Sequence, residues 1–401
     1  MKKIVIVGGK RTPMAEYCGT PGFGKLKDLS ANELGARAIK AAMEDAGVDP
    51  STVDHVVMGN AMQTSVDAHY GARHSALKAG IPIETPALTV NRICGSGVQS
   101  VVNAAQMLML GDATMTVAGG MENMSQAPFC VYGDKVRAGI RFGTEPKMQD
   151  YLFSGLRDSF CDTFMAQTAD LAAQQSEVTR EECDEFALRS HQLGAKAVSE
   201  GIFAKEITPV TIKKGRKEFV VDADDHIKPE TTLAGLARLR PAFGEGGLVT
   251  AGNASGIVDG AAALVVTTED EAKARGLTAR AVIRGWSIVG LDPKLMSLGP
   301  VPAIQGLWEK TGVGRDEIDL YEINEAFAPQ YLACEKQLGL DRDRVNVNGG
   351  AIALGHPLGA TGTRMLLTLT HELERRSARY GVAAACIGGG QGIAMLIERE
   401  S

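Results

Sequence analysis

The chain of 401 residues is 44% hydrophobic and 22% charged, the composition of a globular protein long enough for two or three domains. Its net charge of −6 gives no electrostatic reason to expect a nucleic acid or an anionic membrane as a partner. Seven cysteines, scattered and without the close pairs of a zinc site, fit free thiols in a reducing cytoplasm, and no bound metal is expected.

The N-terminal Met1-Lys-Lys-Ile-Val-Ile-Val-Gly-Gly9 has an apolar run too short for a secretory signal and reads as a buried first strand. No window approaches an unbroken membrane-spanning run, so no span is expected. Residues 30 to 47 read as a helix: Ser30 caps it, Glu33 occupies the capping-box position and Gly47 ends it. A strand follows at Val53–Met58. Thr85–Val90 is extended, and Val98, Val101, Val102, Ala105, Leu108 and Met109 recur at helical spacing.

Between these two lies Asn91-Arg-Ile-Cys-Gly-Ser-Gly97, a strand–turn–helix elbow that puts Cys94 at a helix N-terminus. Unpaired N–H groups and the helix dipole there favour a thiolate. A lone cysteine is more often a small core residue, so the elbow by itself leaves both readings open. The next strand, Ala113–Ala118, leads into Gly119-Gly120. From Met121 to Val249 the pattern breaks into charged, irregular sequence, which reads as an insertion. It holds an amphipathic helix near 180–199, a basic patch Lys213-Lys-Gly-Arg-Lys217 and an acidic Asp222-Ala-Asp-Asp225.

The grammar then returns. A shift of 265 positions lays Gly47-Val48 on Gly312-Val313, Asp54 on Asp319 and Gly95-Ser96-Gly97 on Ala360-Thr361-Gly362. The chain reads as a duplication, with helices alternating with apolar strands in α/β layers. In the second copy Asn324 falls opposite Gly59, His356 opposite Asn91 and Gly359 opposite Cys94. A further cysteine, Cys386, ends a buried strand before Gly388-Gly-Gly390, and Ile393–Ile397 returns as a hairpin. A pseudo-twofold axis would gather both elbows and both glycine turns around one site.

Five stretches in this order resemble the thiolases: Asn91–Gly97, Gly252-Asn-Ala-Ser-Gly256, Asn324-Glu-Ala-Phe-Ala328, Gly355-His-Pro-Leu-Gly359 and Cys386-Ile-Gly-Gly-Gly390. The resemblance implies two similar halves in a five-layer αβαβα fold. Residues 1–120 with 250–273 would form the first half, 274–401 the second, and 121–249 an inserted loop domain. It also implies a homodimer or, more commonly, a homotetramer, with coenzyme A and acyl-CoA as substrates and no permanently bound cofactor.

The implied reaction is reversible cleavage of a 3-oxoacyl-CoA by CoA, or the reverse condensation. Cys94 matches the nucleophile, His356 its activator, and Cys386 the acid and base, a thiol whose ordinary pKa lies near working pH. One oxyanion hole would use His356 and a water held by Asn324, the other the backbone N–H groups of Cys94 and Gly388. Ser255, Ala242 and Phe243 would line the pantetheine arm. Lys228 falls where some relatives carry an arginine against adenine, but lysine lacks the planar guanidinium. Phe164, Met165, Met296 and Phe327 would border the acyl pocket. Phe164 replaces a histidine common in short-chain members, and the overall pattern is nearer the 3-ketoacyl-CoA type. A non-catalytic acyl-CoA or lipid binder would not need both cysteines, and a ketosynthase-type condensing enzyme lacks the second one. Cysteine-protease chemistry finds no further support in the chain.

Overall fold

The computed structural model describes residues 2–400, with the side chains of Lys135 and Lys214 outside that description. Nine strands carry the main sheet: β1 (Ile4–Arg11), β2 (His55–Gly59), β3 (Ala87–Val90), β4 (Met115–Glu122), β5 (Val258–Thr268), β6 (Ala281–Gly290), β7 (Leu320–Ile323), β8 (Tyr380–Ile387) and β9 (Gln391–Arg399). They run in the order β7-β8-β9-β6-β1-β5-β4-β2-β3, and the short strand Ala15–Glu16 pairs onto β5. The order is nearly the same read from either end. The turning point is the antiparallel β1–β6 pair, Ile4 opposite Ile283 and Ile6 opposite Ala281.

The duplication is visible in hydrogen bonds as well as in order. Asp54 accepts from the backbone N–H of Thr114 at 2.8 Å, and its counterpart Asp319 accepts from that of Arg379 at 2.8 Å. Each aspartate ties the start of its own strand to that of the neighbour, β2 to β4 and β7 to β8.

Seven helices matter here: α1 (Ala31–Ala46), α2 (Ser96–Leu110), α3 (Met165–Gln175), α4 (Arg180–Ser199), α5 (Pro300–Thr311), α6 (Ala328–Leu338) and α7 (Leu358–Arg376). In α1 the Ser30 hydroxyl accepts from Glu33 N–H, Glu33 reaches back to Ser30 N–H at 2.8 Å, and Gly47 stops the helix at φ 66°. Strand alternation separates the cores: β1 sends Val5 and Val7 to one face and Ile4 and Ile6 to the other. One core lies under α1, a second under α5 and α6, and a third packs α2 and α7 against strands of both halves. Because the third core takes in both faces of the α2 and α7 layer, outer helices, strands, inner helices, strands and outer helices make five layers.

Position in the middle layer explains an unexpected feature of the sequence. Ile93–Leu110 is long and apolar enough to cross a membrane by length and composition, yet this is α2, packed between the halves. The helices meet with no side chain between them. A Cβ on Gly97 would lie 2.6 Å from Thr363 N and 2.9 Å from Gly362 N, and one on Gly362 would meet Val98 N in return.

One expectation needs correction. Gly119-Gly120 forms no turn but continues inside β4, because a side chain at Gly120 would overlap the carbonyl of Gly359. Only Gly388–Gly390 makes a hairpin, with Gly389 and Gly390 at φ 84° and 78°. In the insertion, the basic patch sits on an exposed hairpin, whereas Asp224 of the acidic stretch is buried and pairs with the buried Arg11 at 2.7 Å.

Gly97→Ala should lose about 1–3 kcal/mol of stability, the usual cost of overpacking. Denaturant titration measures it, and a wild-type midpoint would refute the close contact.

Candidate active site

The elbow is held open by strain. Ile93, a β-branched residue, has φ 46°, in the left-handed region where such side chains are unfavourable. Asn91 braces it: its Oδ1 accepts Ile93 N–H at 2.9 Å and its Nδ2 donates to Ala61 O at 3.0 Å. Ser96 closes the turn, accepting from Arg92 N–H and donating to Ile93 O. Cys94 then sits in a single 3-10 turn, Ile93–Gly95, ahead of α2.

Across the pseudo-twofold, the loop of residues 252–256 holds the other elbow, since His356 N–H donates to Gly256 O at 2.8 Å and Ser255 N–H to Ala326 O at 3.0 Å. Cys94, His356, Cys386, Gly388, Ser255, Met165, Met296 and Phe327 line one cavity of about 270 Å³. A second lobe of about 400 Å³ shares His356, Ser255, Met165 and Phe327 and adds Met62, Met124, Tyr151, Leu152 and Phe243. Residues far apart in the chain, and from both halves, therefore face a common space.

Burial governs the electrostatics. It pushes the Cys94 thiol up to about 12, against the N–H groups of Gly388 and of Cys94 itself, which hydrogen-bond the sulfur. Cys386 is raised well above its ordinary value by burial and by the neighbouring Cys94. At Cys94 burial thus outweighs the helix terminus, and Cys386 lies above the ordinary thiol value. His356 moves the other way, lowered to about 3 by burial and by Arg364.

The tautomer of His356 follows from a count of protons. Thr361 Oγ1 donates its single proton to Pro357 O at 3.1 Å, so it accepts from His356 Nδ1 at 2.6 Å. Nε2 is left bare, with Asn324 Nδ2 at 3.3 Å. Asn324 Oδ1 is buried with no partner among the described residues. The resting site thus holds two thiols and a neutral imidazole that can accept a proton. His356 and Cys94 share the cavity wall, but no hydrogen bond joins them.

The remaining expected residues scatter. Phe164 stays off both cavity walls and packs against Phe243 at 5.3 Å between ring centroids. Ala242 is exposed, with its N–H on Val249 O. Lys228 lines a separate cleft with His191 and His226, which meets the second lobe only through Ala254. Sequence reasoning missed Thr361, although it lies in the same glycine-rich stretch as His356. It also missed Arg157, Asp158 and Ser159 at the wall beside the cysteines, where irregular sequence gives no periodic signal.

A histidine lowered to about 3 stays neutral at any pH above 5. The ¹⁵N resonances of His356 should therefore not move between about pH 5 and 8, the range in which an ordinary histidine titrates. A midpoint near 6.5 for this ring would overturn the assignment.

Comparison with known proteins places this geometry. A family profile described as "Thiolase, N-terminal domain" matches residues 4–270, and "Thiolase, C-terminal domain" matches 277–399. The mitochondrial 3-ketoacyl-CoA thiolase of Homo sapiens is 48% identical over 398 residues, covering 99% of this chain and 98% of that protein. An acetyl-CoA acetyltransferase of Escherichia coli (strain K12) is 47% identical over 399 residues, with both chains covered in full. The crystal structure of the human mitochondrial enzyme superposes with a TM-score of 0.96, covering 100% of this chain and 99% of that one, and its complex with CoA with 0.95. The chain belongs to the thiolase family.

Proposed function

We propose that the protein is an acyltransferase that cleaves 3-oxoacyl-CoA with CoA to give a shortened acyl-CoA and acetyl-CoA, and runs the condensation in reverse. The observation that carries this reading is that two sulfurs from opposite halves, Cys94 and Cys386, face one cavity with a neutral imidazole.

In cleavage, the Cys94 proton passes to His356 Nε2 as sulfur attacks the 3-oxo carbonyl. The C2–C3 bond then breaks, leaving the acyl group as a thioester on Cys94 and an acetyl-CoA enolate, which Cys386 protonates at carbon. The CoA thiol gives its proton to the Cys386 thiolate and attacks the thioester, and the departing Cys94 sulfur takes its proton back from His356. Buried thiols suit this sequence, because each remains protonated until a partner takes or needs the proton.

Both oxyanion holes have support in the geometry. The N–H groups of Cys94 and Gly388 already converge on the Cys94 sulfur, beside the carbon that will be bonded to it. His356, once protonated at Nε2, donates to the other oxygen, and the unpaired Asn324 Oδ1 is placed to hold a water there.

Ser255 and Phe243 mark the pantetheine path, and Ala254 continues it to the cleft of Lys228, where the nucleotide end of CoA would lie. The Met62, Met124, Tyr151 and Leu152 side of the second lobe favours acyl chains longer than acetoacetyl. The insertion at 121–249 exposes Phe129, Phe142 and Phe160, which supports burial in a homotetramer. Seven free cysteines support a reducing compartment such as the cytoplasm.

Incubation with labelled acyl-CoA followed by peptide mapping tests the reading. Label should be confined to Cys94 and vanish in Cys94→Ala; label persisting there refutes the assignment. Cys386→Ala should still take the label but lose carbon–carbon exchange by at least about a hundredfold. Exchange retained without acylation would reverse the two roles.

A further inference from the structure

Strand β4 ends on Glu122, a fully buried carboxylate for which the acyl-transfer steps have no use. Its surroundings are specific. Oε1 accepts from Asn60 Nδ2 at 2.8 Å and Met62 N–H at 2.9 Å, while Oε2 accepts from Ala61 N–H at 3.1 Å and Gly359 N–H at 2.8 Å. A carboxylate has about four acceptor sites, and the four donors fill them, which favours the anion. Burial opposes them, and the balance leaves the group raised to about 7, ionised above neutrality. Asp259 is the other charged group that bears on it.

The donors come from both halves of the fold. On one side Ala61, gripped through its N–H, offers its carbonyl to Asn91, and Asn91 holds the strained Ile93 ahead of Cys94. On the other side Gly359, the pseudo-symmetric counterpart of Cys94, stands in the first turn of α7, just beyond His356. Close backbone packing makes the joint tight, since a Cβ on Gly359 would lie 2.7 Å from Met121 O.

We propose that Glu122 is a positioning residue that sets the Cys94 loop against the His356 loop by joining Ala61 and Met62 of one half to Gly359 of the other. This rests on the reading of Cys94 as nucleophile and His356 as its base. The anion has a second effect, for its charge opposes ionisation of Cys94. It thereby helps keep the nucleophile protonated until His356 takes the proton. The other ionisable groups around Cys94 are His356 and Cys386, neither of which is charged at rest, and Arg157 and Asp158 on the same cavity wall.

Glu122→Gln and Glu122→Asp in the full chain test this. In the glutamine variant an amide N–H₂ must face backbone N–H donors. kcat should fall roughly a hundredfold, the scale of an ångström-level misplacement, with KM for acyl-CoA little changed. Alkylation of Cys94 by iodoacetamide at a fixed pH well above 7, where Glu122 is ionised in the wild type, should become faster, because the opposing charge is gone. Glu122→Asp keeps the charge but shortens the reach, so its alkylation rate should match wild type while kcat still falls. A glutamine variant with wild-type kcat and alkylation rate overturns the proposal. So does one in which activity falls only in proportion to folded protein and alkylation is unchanged. Should the glutamine variant fail to fold, Glu122→Asp and Asn91→Ala decide, and wild-type kcat in both refutes the joint. Cys94→Ala is the control: acyl label persisting there defeats the reading of the site itself, whatever Glu122 does.

Discussion

The contact between Gly97 and Gly362 is the constraint on which the rest of the structure depends. Two helices cross there backbone to backbone, and the elbows that precede them are drawn together because nothing intervenes. Everything nearby is shaped by that approach. Gly120 lacks a side chain to admit the Gly359 carbonyl, and α2 turns apolar faces to strands of both halves while Gln99, Asn103 and Gln106 run along its remaining side. A cavity lined by groups from opposite ends of the chain is the result.

Burial on this scale restricts which chemical states can exist at rest. The buried arginines are matched by carboxylates: Arg11 by Asp224 and Glu206, Arg364 by Glu322. The reacting groups are handled differently. Cys94, Cys386 and His356 are all neutral at rest, which avoids the desolvation cost of a buried thiolate–imidazolium pair. In the proposed reaction charge forms only during turnover, and the N–H groups of Cys94 and Gly388 point to where it would appear.

Much of this was legible in the sequence, for reasons that differ by residue. Ser30, Glu33 and Gly47 act on their own helix, so local spacing located its ends. The repeat was readable because each half needs the same strand clamp, and Asp54 and Asp319 survive in register. Cys94, His356 and Cys386 stood out as reactive side chains in glycine-rich turns. What spacing could not supply was environment. Nothing local separates Gly119-Gly120 inside a strand from Gly389-Gly390 in a turn, since the difference is a neighbour more than two hundred positions away. The same holds for Phe164, which packs behind the cavity wall, for Lys228 in its separate cleft, and for the pKa values of both cysteines, which depend on how deeply the finished fold covers them.

The division of the site between the halves bears on the life of the chain before it is complete. Cys94 is made early, but His356 and Cys386 come near the end, the latter on the strand before the last. A nascent or truncated chain carries the sulfur that would hold an acyl group without the imidazole or the second thiol that would use it. Competence therefore arrives only with nearly the whole polypeptide, so possession of activity is itself a report that the chain is intact and both halves have met.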